Sequence, residues 1–136
     1  MTIREIETQL PQGFHDANLE SFEFDLRNMA VRLYFNILIE YNERDSKTIY
    51  RRGEVLVKNV SFLAASPYIA IPKGRAVGTV FSVSTELPDN SIVPSELVKG
   101  AKFLTNLYIG DAPSFFDLSV GYESAEFMWT GEDVSY

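Results

Sequence analysis

Between Val31 and Tyr41 the chain changes polarity at almost every step. Val31, Leu33, Phe35, Ile37, Ile39 and Tyr41 fall on one parity, and Arg32, Tyr34, Asn36 and Glu40 on the other. Strand side chains point alternately to the two faces of a sheet, so this run folds as a strand with one face on a core. A helix would scatter the same apolar residues around its circumference. Leu38 alone departs from the polar parity.

The same period recurs along the chain. Phe22, Phe24 and Leu26 alternate with Glu23 and Asp25, and Arg27-Asn28-Met29 reads as a tight reversal into the long strand. A polar turn over Asn42–Lys47 precedes Thr48–Tyr50 and a stretch from Val55 and Val57 to Val60 and Phe62, where Gly53 predicts a bulge or a break. Pro67 to Pro72 is bracketed by prolines, which predicts an edge strand or a crossover. Ala76–Thr85, Phe103–Ile109, Phe116–Tyr122 and Ala125–Trp129 read as further strands, with Glu123-Ser124 reversing the chain. Only two stretches suit a helix. Thr2 and Glu5 match a capping box, and Ile3, Ile6 and Leu10 form one stripe before Pro11, predicting a helix over 2–10. Ser95–Lys99, ahead of Gly100, predicts one helical turn.

Turn signals at this density predict a mainly β protein, α+β at the margin. The expected form is an antiparallel β-sandwich or strongly curved sheet with a short N-terminal helix, in one domain over 1–136. Its core is expected to draw on Phe22, Phe24, Leu26, Leu33, Phe35, Ile37, Val55, Val57, Phe62, Val80 or Phe81, Leu104, Leu118 and Phe127.

Composition limits the chemistry. There is no cysteine and one histidine, His15, which disfavours zinc sites, thiol nucleophiles and two-histidine schemes. No glycine-rich phosphate loop, nucleophile elbow or Ca²⁺ loop occurs, so neither cofactor nor metal is expected. The formal charge is −7, and residues 103–136 hold six acids (Asp111, Asp117, Glu123, Glu126, Glu132, Asp133) with no Lys or Arg. Such a chain is a poor partner for nucleic acid, where cations must oppose phosphates. An apolar stretch long enough to span a bilayer is missing, and the opening MTIREIETQLPQ has no signal-like apolar segment, so no membrane association and a cytoplasmic location are expected.

His15-Asp16 is the first candidate site: a carboxylate beside an imidazole can set its tautomer and make it a base or a ligand. The structural alternative has Asp16 accepting backbone N–H groups in a turn while His15 marks the corner. Tyr34, on the polar parity with Leu38, suggests a face covered by another element or subunit. Glu123 and Glu126 belong to the acidic C-terminal portion, which would attract a basic protein.

The string Leu10-Pro-Gln-Gly-Phe-His-Asp-Ala17, followed by Leu19 and two alternating strands, resembles small bacterial proteins of unassigned activity with the same opening. The likeness covers about the first sixty residues, ending near Phe62. It implies a compact β-rich protein and leaves His15 and Asp16 as a shared element of open purpose. Size and acidity are also similar to those of bacterial immunity proteins, which neutralise a partner toxin. The leading expectation is therefore a non-catalytic protein-binding module, immunity-like, offering Asp111, Glu123, Glu126, Glu132 and Asp133 to a basic partner. The competing one is a small-molecule binder or hydrolase with His15 and Asp16 at a pocket rim. A third is a homo-oligomer formed through the Tyr34/Leu38 face or a free strand edge.

Overall fold

The first element forms for local reasons. Thr2 Oγ1 accepts the Glu5 N–H at 3.1 Å and Glu5 Oε2 accepts the Thr2 N–H at 3.1 Å, closing the capping box of helix α1, Ile3–Gln9. Leu10 leaves the helix in an extended conformation, as a residue before proline does. Two turns are too few to hold alone, and Ile3 and Ile6 are buried against the sheet.

The computed structural model describes residues 1–66, 78–89, 91–111 and 114–136. After α1 come β1 (Asn18–Asp25), β2 (Ala30–Asn42), β3 (Lys47–Lys58), β4 (Phe62–Ser66) and β5 (Gly78–Ser84). The helical turn α2 (Ser95–Gly100) leads to β6 (Phe103–Asp111), β7 (Ser114–Tyr122), β8 (Ser124–Trp129) and β9 (Val134–Ser135). Among these residues the strands form one antiparallel, unclosed sheet in the order β4-β7-β6-β5-β1-β2-β3-β8, with β9 also pairing β3. The expected segment 67–72, residues 76 and 77, and the side chain of Asp111 lie outside the described residues.

Two junctions join the halves of this sheet. Among the described residues, β1 meets β5 at Asn18↔Thr79 and Leu19↔Gly78. At the other side, β3 pairs β8 as far as Lys58↔Ser124, and β4 pairs β7 from Phe62↔Gly121. Backbone bonds from Ser61 N–H to Gly121 O (2.8 Å) and from Glu123 N–H to Lys58 O (3.2 Å) carry the ladder across the gap. β3–β4 and β7–β8 are therefore two long strands that turn one corner together. Glu123 is a bend in that ribbon and not the reversal its sequence suggests, because β7 and β8 pair with different strands.

The concave face holds the core. Ile3, Ile6 and Phe14 pack there with Leu33, Phe35, Ile37, Val55 and Val57 from one side, and with Val80, Leu107, Phe116 and Leu118 from the other. Phe22 and Phe127 are half-buried against this cluster. Phe24 (38% exposed) and Leu26 (71%) do not join it, lying at the end of β1 and in the turn that follows it. Phe81 is displaced to the outside by a bulge between Val80 and Ser82, leaving Val80 inside. Leu104 is only half-buried, lying on the outer parity of β6. Phe62 is buried over Gly121, outside the main cluster. Gly53 makes neither bulge nor break: β3 passes through it in register with Phe35, and its bare Cα accommodates the Phe127 ring.

Candidate functional site

The apolar letters of the opening motif serve the core. Leu10, Phe14 and Ala17 are buried, and the Phe14 ring lies 4.8 Å from that of Phe35. Gly13 (φ 60°) and Asp16 (φ 64°) occupy the left-handed region, which glycine and aspartate tolerate best. The turn is fixed by bonds from Asp16 N–H to Val80 O (3.1 Å) and from Val80 N–H to Ala17 O (2.7 Å). This conformation brings together side chains that an extended backbone would hold apart: His15 Nδ1 lies 3.0 Å from Asp16 Oδ2, both side chains being more than half exposed. The Asp16 carboxylate thus meets the imidazole, in contrast to the backbone-capping alternative.

Asp16 also stands on the rim of a shallow basin of about 390 Å³ on the convex face. Asn18 and Thr79 continue its wall, with Thr79 Oγ1 donating to Asn18 Oδ1 at 3.0 Å. Leu38, Tyr41, Thr48 and Tyr50 supply the rest. The sequence pattern places Tyr41 inside. A bulge between Leu38 and Glu40 reverses the parity, and Tyr41 is 56% exposed beside Thr48. The Leu38-Ile39 pair that interrupts the alternation is the signal that marks this bulge. Tyr136 joins the patch from the end of the chain: it exchanges backbone bonds with Thr48 (2.9 and 3.2 Å), and its ring meets Tyr50 edge-on at 5.9 Å. Burial, and secondarily the Asp16 carboxylate, push the Tyr50 hydroxyl pKa upward, so the ring presents a neutral O–H.

Next to the basin the convex face is charged and internally paired. Tyr34, half-buried at its centre, donates to Glu23 Oε2 at 3.1 Å. Desolvation, followed by that carboxylate, raises the Tyr34 pKa. Arg32 pairs with Glu54, Arg52 with Glu20 at 3.2 Å, and Lys58 with Glu126 at 2.6 Å. Glu123 is at the ribbon corner, where Asn59 Nδ2 donates to it at 3.1 Å. Two of the acids read as a free C-terminal field, Glu123 and Glu126, are therefore engaged by residues around the end of β3, while Glu132 and Asp133 are exposed. Lys58 holds Glu126 below the usual glutamate range.

His15 and Asp16 form one pair at the basin; Tyr34 lies across the same face, and Glu123 and Glu126 lie at its far corner. Sequence reading missed Tyr41 and Thr79, which reach the basin through a bulge and through β1–β5 pairing. Among the described residues no group of three His, Asp or Glu side chains could hold a metal ion. Among the described residues no helix is long and apolar enough to cross a membrane. Comparison with family models, curated proteins and solved structures finds no match to the chain.

Proposed function

We propose that the protein is a non-catalytic protein-binding module whose convex face receives an acid-seeking, basic partner. The observation that carries this reading is the tyrosine basin. Tyr41 and Tyr136 stand exposed beside half-buried Tyr50 and Leu38 in an open, shallow surface. Rigid amphipathic rings of this kind give contact area at low entropic cost and are enriched at interfaces. Asp16 borders the basin on one side, and Glu132 lines a small adjoining cleft with Val134 and Tyr136. In its sharpest form the reading is immunity-like: an acidic module that covers the working surface of a basic toxin.

Capture from a lysate of the native host, followed by kinetics with the purified partner, tests the proposal. Tyr41→Ala with Tyr136→Ala is expected to abolish capture while thermal stability changes little. Neutralising Glu123, Glu126, Glu132 and Asp133 is expected to slow association and flatten its salt dependence. Capture unaffected by the tyrosine changes would defeat the proposal.

One observation favours a second reading, a small-molecule binder or hydrolase: the His15–Asp16 pair adjoins a concavity. His15→Ala decides between them. A protein-binding module keeps its partner after this change, whereas a ligand site at that rim loses its ligand.

A further inference from the structure

We infer that the tyrosine basin seats one arginine side chain of the partner, stacked on Tyr41 and held at its edge by Asp16. The inference rests on the reading of the protein as a binding module and names the group that the module captures. Leu38, Tyr41 and Tyr50 give the basin apolar and aromatic surface, and Tyr41 is exposed, so its ring can be stacked upon. Oxygens stand around that surface: the Asp16 carboxylate and the hydroxyls of Tyr41, Thr48 and Tyr50. A ligand that is flat, apolar on its face and rich in donors at its edge complements both parts.

Charge complementarity asks for a cation. His15 Nδ1 approaches one Asp16 oxygen, Oδ2, at 3.0 Å. A carboxylate has two oxygens with about four acceptor positions, so this contact leaves it able to accept further bonds. Its field reaches into the basin, where it adds to burial in raising the Tyr50 pKa. Tyr50 therefore stays neutral, and its oxygen can still accept. Arg52, two residues along β3 from Tyr50 on the same face, pairs with Glu20 at 3.2 Å and lines the adjoining cleft instead.

The shape selects arginine over lysine. A guanidinium is planar and weakly hydrated, so its face can lie on a ring while its edge donates. A lysine ammonium is compact and strongly hydrated, and it would give up water against Leu38 and the rings with fewer donors to recover it. The chain already builds the arrangement once. The Arg51 guanidinium lies 4.9 Å from the centre of the Trp129 ring, and its Nε donates to Gly131 O at 2.8 Å. The basin repeats that combination of ring and oxygen, with the carboxylate of Asp16 in place of a carbonyl.

The probe is acetyl-Ala-Arg-Ala-amide, compared with the same peptide carrying lysine or citrulline. Citrulline keeps the planar head of arginine and removes its charge. NMR titration of the full chain, followed at the Tyr41 and Tyr50 rings and the Asp16 amide, reads both affinity and place. The arginine peptide is expected to bind at the basin about tenfold more tightly than either control. Tyr41→Leu is expected to abolish the preference over lysine, and Tyr41→Phe, which keeps the ring face, to retain it. Asp16→Asn, a change the left-handed turn tolerates, is expected to remove the preference over citrulline. Equal binding of the arginine and lysine peptides, or shifts that leave Tyr41 and Asp16 unmoved, overturns the inference. Absence of binding by any of the three overturns it as well. In each case, partner capture that still depends on Tyr41 and Tyr136 would keep the binding-module reading intact.

Discussion

The Tyr122 hydroxyl accepts the backbone N–H of Ile3 at 2.9 Å, across 119 residues of sequence. It also lies 2.8 Å from Thr105 Oγ1, so the ring fastens the first turn of α1 to both β7 and β6 from inside the core. A free N–H at the start of a helix ordinarily turns to solvent or to a cap. Here burial of Ile3 requires an acceptor within the protein, and the phenol supplies it.

Tyr122→Phe keeps the ring and removes that acceptor. The buried Ile3 N–H and the Thr105 hydroxyl lose a partner, for an expected loss of about 1–3 kcal/mol. Urea denaturation with an unchanged m-value would measure it. A stability equal to that of the wild type would mean that water replaces the phenol.

Thr2→Ala opens the capping box from its other end. The expected cost is about 1 kcal/mol, the usual value for an N-cap. Faster amide exchange at Glu5, with the sheet amides unchanged, would separate fraying of α1 from global unfolding.

Gly53→Ala puts a Cβ 2.6 Å from Phe127 Cζ and 3.2 Å from Ile37 Cδ1. The ring must move, at an expected cost of about 1–3 kcal/mol for overpacking. In a double-mutant cycle Phe127→Leu should recover part of the loss, because the two positions contact each other. Strict additivity would place the damage in the backbone instead.

Asp25 sets the acid behaviour of the β1–β2 turn. Its carboxyl is held below the ordinary 3.8, first by the Asn28 side-chain amide and then by the Asn28 backbone N–H. A folded value below the unfolded one stabilises the protein above pH 3.8 and ceases to do so as pH falls through the folded value. Asn28→Ala should raise the Asp25 midpoint in a carboxyl NMR titration. The stability difference from wild type should shrink in strong acid; a difference constant with pH would assign it to the turn backbone.

The legible parts of the fold were those set by neighbours in sequence. Thr2, Glu5 and Pro11 bound α1 through contacts within a few residues, and the alternation from Val31 to Ile37 states which face of β2 is buried. The misplacements have one origin. Phe24 and Leu26 carry a core pattern, yet they fall at the end of β1 and in the turn beyond it, where both are exposed. Tyr41 changes face because of a single extra residue, and Glu123 bends a ribbon where the local string resembles a hairpin. The candidate site followed the same division, with His15 and Asp16 visible as a dipeptide and the basin beside them visible only after folding.

By itself the sequence determined an antiparallel, sheet-built chain with a capped N-terminal helix and an acidic surface. Side-chain period, capping and charge are properties of short segments and need no knowledge of distant partners. Tertiary structure alone decided which apolar residues are covered, and that Asp16, Tyr41, Tyr50 and Tyr136 share one surface. Strand pairing over long separations makes those choices, and one bulge is enough to reverse them.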